Sequence, residues 1–259
     1  MIERRNTLIT GANRGLGFEF VRQCLHRGDR VFAGCRQAAE LQSLAERLGH
    51  PETLHPIPLD VSEAVSIEQA VEALTNEVNR LDVLIHNAGI TGERTSLDNF
   101  DPDQFDQVLR VNLFAPVLLT QAALDLLVDG SRIAILTSRI GVLRPPVDTI
   151  RSGGGIGYAA SKAAMHRAIP ILAGDLAKRN IFMCGVDPGW VRTDMTRGAT
   201  PTDRFQLSPE TSVRGMLEVI DTLEASTSGH LFRWNGETSC WYAPMETDDE
   251  LQRRSTTPQ

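Results

Sequence analysis

The sequence predicts an α/β fold: a single Rossmann-type, doubly wound parallel sheet with helices on both faces. Three observations carry this. Short apolar runs alternate with helix-period stripes along the chain, the pattern of successive strand–helix–strand units. The run at 82–86 is nearly all apolar, as expected of a strand covered on both faces. A glycine-rich turn, Thr10-Gly11-Ala12-Asn13-Arg14-Gly15-Leu16-Gly17, follows the first strand-like run at once.

Each element has its own local reason. Residues 7–10 form the first strand. Residues 16–27 read as a helix with Phe20, Val21, Cys24 and Leu25 inward, stopped by Gly28. Residues 31–35 are the second strand. Leu41, Leu44 and Leu48 make a helical stripe closed by Gly49. Residues 54–59 are the third strand, with Pro56 and Pro58 weakening its ends. Ser66 and Gln69 predict a capping box that starts a helix burying Ile67, Val71, Leu74 and Val78. Residues 82–86 are the fourth strand. Asp101-Pro102 opens a helix carrying Phe105, Val108, Leu109, Asn112 and Leu113. Residues 132–137 are the fifth strand and 182–186 the sixth, with the helix of Tyr158 and Lys162 between them. Pro170 falls inside that helix and is expected to kink it or remove a hydrogen bond. Ser208-Pro209-Glu210 caps a further helix, 230–234 is the last strand, and Asn235-Gly236 is a tight turn. The domain is predicted to span 1–243, with a polar tail at 244–259.

Composition narrows the function classes. At 259 residues, with 41% hydrophobic and 23% charged content, the chain suits one large α/β domain. A net charge of −7 argues against a nucleic-acid partner. Cys24, Cys35, Cys184 and Cys240 form no CxxC pair and read as reduced thiols. No metal site is expected. The first residues run straight into a strand, so no signal or transit peptide is expected there. No apolar run approaches the roughly 18 residues of a spanning helix, so no membrane partner is expected. The expected location is cytoplasmic.

Two stretches carry chemistry. In Gly157-Tyr158-Ala159-Ala160-Ser161-Lys162, a phenol and an ammonium lie four residues apart, on one face of a helix. A nearby positive charge eases ionisation of the phenol, making it a plausible acid at neutral pH. The glycine turn lets backbone approach a pyrophosphate at a helix N-terminus. About 20 positions past such a turn, NAD-binding chains usually place an acidic residue; here Cys35 and then Arg36 follow the second strand. With Arg14 in the turn itself, two guanidinium groups suit a 2′-phosphate, which favours NADP(H) over NAD(H). His86 reads as a core histidine. Residues 139–157 form the expected substrate-facing loop, and 196–207 a second flap.

With these pieces in order, the chain from about Leu8 to Trp241 resembles the short-chain dehydrogenase/reductases. The matching pieces are the glycine turn, Asp60-Val61, Asn87-Ala88-Gly89, Asn112, Ser138, the Tyr158–Lys162 pair, and Pro188-Gly189-Trp190-Val191-Arg192-Thr193. Cys35-Arg36, the Pro-Gly-Trp-Val run and Trp234-Asn235-Gly236 further resemble the C-factor-like carbonyl reductases. The resemblance implies that Tyr158 passes the proton while Lys162 lowers its pKa and bonds the nicotinamide ribose. Ser138 would hold the substrate oxygen, and Asn112 a water that resupplies the proton. Gly11, Asn13, Arg14, Gly15, Leu16, Gly17 and Arg36 would hold the phosphates. Asp60 and Val61 would hold the adenine, and Asn87, Ala88 and Gly89 the ribose and ring. Pro188, Gly189, Val191 and Thr193 would close over the carboxamide. The implied activity is NADPH-dependent reduction of a small ketone or aldehyde, or oxidation of the matching alcohol. A catalytically quiet NADP(H)-binding regulatory protein is the alternative. The family also implies a homodimer or homotetramer.

Overall fold

The computed structural model describes residues 4–93, 97–142, 155–196 and 206–238. Seven parallel strands form one sheet: β1 (Asn6–Thr10), β2 (Arg30–Cys35), β3 (Leu54–Pro58), β4 (Leu81–His86), β5 (Leu127–Leu136), β6 (Phe182–Asp187) and β7 (Leu231–Arg233). Their order is β3-β2-β1-β4-β5-β6-β7, so the winding reverses beside β1, between β1 and β4. Each crossover carries helix: α1 (Gly15–His26), α2 (Ala38–Arg47), α3 (Ala64–Glu77), α4 (Pro102–Leu109), α5 (Ala115–Ala122), α6 (Ile156–Ala177) and α7 (Pro209–Asp221).

Alternation along the central strands divides the core into two layers. Leu8, Phe32, Leu84 and Ile133 point one way, against Leu74, Leu119, Met165 and Ile169 of α3, α5 and α6. Ile9, Val31, Ile85 and Ala134 point the other way, against Phe20, Leu44 and Met216 of α1, α2 and α7. A sheet buried on both faces needs both layers, which explains the apolar run of β4.

Two local expectations are corrected. Helix α3 begins at Ala64 with Glu63 at its N-cap, three residues before the Ser66 cap that the box implied. The Ser66 hydroxyl instead accepts from the Asp60 amide at 2.9 Å, fixing the turn that leaves β3. The helix from Asp101 is not one α-helix: a π-helical turn, Arg110–Phe114, separates α4 from α5. Pro170 stands inside α6 as the sequence places it, and the helix runs 22 residues through it. A helix can continue past proline when the one missing N–H is the only bond lost. The expected domain boundary at 243/244, Cys240 and most of both expected flaps (143–154 and 197–205) lie outside the described residues. Among the described residues, no helix is long and apolar enough to cross a membrane.

Candidate active site

A cleft of about 440 Å³ opens at the carboxyl ends of the strands, where doubly wound sheets take their ligands. Its floor at one end is the glycine turn. Gly11 and Gly15 have φ of +63° and +54°, the left-handed region that glycine adopts freely. Gly17 lies behind the turn, and a Cβ there would sit 2.1 Å from the Gly11 carbonyl oxygen, so only glycine lets α1 pack this close. Among the described residues, no side chain caps the start of α1, and no acid occupies its first turn. Its free N–H groups and positive dipole end therefore remain available beside Gly15 and Leu16, which line the cleft.

The turn is stapled from the next strand end. Asn87 donates from Nδ2 to the carbonyls of Thr10 and Gly11 at 2.9 and 3.0 Å. Thr10 Oγ1 accepts from the amides of Asn87 and Ala88 at 3.1 and 3.0 Å. Asn87, Ala88 and Gly89 all line the cleft, but the Asn87 amide holds protein backbone. Asp60 and Val61 line it too, with Asp60 Oδ1 accepting from the Ser62 amide and hydroxyl. Arg14 and Arg36, both exposed, and Asn13 stand at this end.

At the other end, Tyr158 and Lys162 face the cleft from the first turns of α6. Lys162 is buried, and its Nζ donates to the Leu136 carbonyl at 2.7 Å. The same nitrogen lies 5.6 Å from the centre of the Tyr158 ring. Ser138, just past β5, hydrogen-bonds the Tyr158 side chain. Burial pushes the phenol up to about 12; the Ser138 bond pulls it down and the Asp187 charge pushes it up further. The expected lowering by Lys162 is not among the causes of this shift; the ammonium sits over the ring and bonds a carbonyl. Burial pushes Lys162 down to about 8, opposed by Asp187.

Asn112, in the π turn, is almost fully buried. Its Oδ1 accepts from the Ile90 amide at 2.9 Å, and its Nδ2 donates to the Ile90 carbonyl at 2.8 Å and to Ser161 Oγ at 3.1 Å. One side chain thus ties α6 to the strand end after β4. Four residues on stands Pro116, which has no N–H to give the Asn112 carbonyl in the ordinary helical pattern. π turns of this kind gather at functional sites.

Pro188 and Thr193 line the cleft, whereas Gly17, Asn112, Ser138, Gly189 and Val191 are not among its lining residues. Trp190 is 37% exposed and lies outside the lining. His86 is a core histidine: its Nε2 meets Thr120 Oγ1 at 2.9 Å, and burial pushes it down to about 3.

The sequence pattern missed Glu40 and Asp187. Glu40 lines the nucleotide end of the cleft. Asp187, 4% exposed at the end of β6, accepts from the Gly189 amide at 3.0 Å and pairs with Arg139 Nε at 3.5 Å. It joins the turn beyond β6 to the turn that carries Ser138. Burial raises its own pKa. A lone acid at a strand end was the available signal. The turn at 139–141 packs directly on α6: a Cβ on Gly141 would meet Lys162 backbone carbon at 2.6 Å.

A sequence model of the short chain dehydrogenases matches residues 5–204. The chain belongs to the short-chain dehydrogenase family. This short-chain dehydrogenase is 37% identical to the C-signal protein of Myxococcus xanthus over 163 residues, 62% of this chain and 93% of that one. It is 28% identical to the 3-oxoacyl-[acyl-carrier-protein] reductase FabG of Escherichia coli over 239 residues, 91% of this chain and 95% of that one. Among solved structures, the NADPH-bound carbonyl reductase from chicken fatty liver is similar at 30% identity and a TM-score of 0.83. That likeness covers 92% of this chain and 99% of that one.

Proposed function

We propose that this short-chain dehydrogenase is an NADP(H)-dependent carbonyl reductase, working on a small or mid-sized ketone or aldehyde or on the matching alcohol. The observation that carries the reading is the Ser138–Tyr158–Lys162 cluster, at the far end of one cleft from the uncapped start of α1. The glycine turn, the free α1 N–H groups, Arg14 and Arg36 fit a phosphorylated dinucleotide in shape and charge. NADP(H), when bound, supplies the hydride.

The chain's residues supply the proton and the geometry. A phenol pushed up to about 12 remains protonated at neutral pH, so Tyr158 donates to the carbonyl oxygen in reduction. Ser138 holds that oxygen and steadies the charge that develops on it. The Asn112 carbonyl, denied an ordinary helical bond by Pro116, holds a water from which Lys162 passes a proton back to Tyr158. Pro188, Gly189, Val191 and Thr193 shape the nicotinamide side. A homodimer or homotetramer in the cytoplasm completes the reading.

Likeness to the C-signal protein favours a second reading, a NADP(H)-binding signalling protein with little turnover. A panel of ketones and aldehydes, followed at the reduced-nicotinamide absorbance band, separates the two. Steady NADPH oxidation on any of them supports the reductase. Tight NADPH binding with no turnover across the panel supports the signalling protein.

A further inference from the structure

We propose that Glu40 is a specificity-determining residue that narrows the preference for a 2′-phosphorylated nucleotide over one with a free ribose hydroxyl. The inference rests on the dinucleotide reading of the cleft.

Glu40 lies in the first turn of α2, half-buried, and lines the same end of the cleft as Asn13, Arg14 and Arg36. Two bonds fix its carboxylate. Oε1 accepts from Asn13 Nδ2 at 2.8 Å, and Oε2 accepts from the Gln37 amide at 3.2 Å in a capping box. The acid therefore cannot swing into solvent without losing both contacts. Asn13 lies in the glycine turn, so its amide would be a donor for a nearby phosphate; Glu40 already occupies it. The Glu40 charge also reaches the end of β2, where it adds to burial in pushing the Cys35 thiol up to about 12.

The cations at this end are not equivalent. Arg14 and Arg36 are exposed and form no ion pair among the described residues. Arg47 is committed, lying 3.7 Å over the Phe18 ring and donating to the Asn13 carbonyl at 3.0 Å. Two free guanidinium groups attract a 2′-phosphate, and one fixed carboxylate repels it and withholds a donor. A ribose hydroxyl feels no such repulsion and can donate to the carboxylate. Discrimination between the two nucleotides is thus a difference of opposing terms.

The test uses the full chain and a calorimetric titration with two probes, adenosine 2′,5′-bisphosphate and 5′-AMP. Removing one unit charge from a half-buried site near the phosphate, in Glu40→Gln, is expected to tighten the bisphosphate by about tenfold and 5′-AMP by less than about twofold. An equal gain for both probes, or no gain for the bisphosphate, overturns the proposal. If the variant does not fold, wild-type affinities for NADPH and NADH decide, read by nicotinamide fluorescence. Two unopposed guanidinium contacts would separate these by more than about a thousandfold; with Glu40 in place the ratio is expected below about a hundredfold. A ratio above about a hundredfold overturns the proposal while leaving the dinucleotide reading intact. Binding of no nucleotide by the wild type overturns both.

Discussion

At one end of the cleft, Asn112 and Lys162 are buried, and their side chains are bonded to Ile90, Ser161 and Leu136. At the other, Arg14 and Arg36 stand exposed, with no ion-pair partner among the described residues. The end that holds Asn112 and Lys162 is buried and tied by hydrogen bonds; the nucleotide end is open and carries charge of both signs. Proton transfer needs groups held within hydrogen-bond reach, in surroundings where their pKa values can be shifted. Choosing between two nucleotides needs only a difference in charge at the surface, which one residue can retune. Substitutions at the two ends should therefore fail in different ways.

The largest effect is expected from Lys162→Met. It removes the buried ammonium that the proposed proton path uses, and turnover should fall by about 10² to 10⁴. NADPH affinity, read by fluorescence titration, should change far less. Comparable losses of both would erase the contrast between the two ends.

Asn112→Ala should cost stability as well as turnover. It strands the Ile90 amide and carbonyl and removes a partner of Ser161. A loss of about 3 kcal/mol in urea unfolding is expected. An unchanged unfolding midpoint would mean that the strap is not structural.

Acid should unfold the protein through its buried histidines. Burial pushes His86 to about 3, and burial and then Lys162 push His166 to about 4. Both values lie below the unfolded value of about 6.5, so the folded state binds fewer protons and stability falls as pH drops through that value. Each group contributes up to about 1.4 kcal/mol per pH unit. Raised Asp187 acts with the opposite sign, so the useful reading is the difference between wild type and His86→Gln. The variant should show a shallower loss of stability between pH 6.5 and 4; parallel curves would contradict the assignment.

The smallest effect expected is a displacement of the pH profile. The Asp187 charge favours the protonated forms of both Tyr158 and Lys162. Asp187→Asn keeps an oxygen for the Gly189 amide while removing that charge. The alkaline limb of kcat/KM for carbonyl reduction should then move to lower pH. A purely structural role would lower the rate without moving the limb.

Much of this was legible in the sequence because it rests on local rules. Leu8 and Ile9, or Leu84 and Ile85, announce a sheet buried on both faces, and Gly17 announces a close backbone approach. Three features were not legible because they depend on distant partners. Tyr158 and Lys162 have helical spacing, but only the fold shows the ammonium committed to Leu136 and the phenol desolvated. The π turn around Asn112 arises where Pro116 interrupts the ladder and Ile90 holds the side chain. Glu40 carries no motif in the sequence, and only the fold brings it against Asn13 of the glycine turn.

The most direct measurement compares Tyr158→Phe with the wild type in two assays, NADPH binding by fluorescence and carbonyl reduction by absorbance. The account predicts binding within about threefold of wild type and turnover lower by about 10² to 10⁴. Turnover that survives the substitution, or binding lost along with it, would contradict the division of labour between the two ends of the cleft.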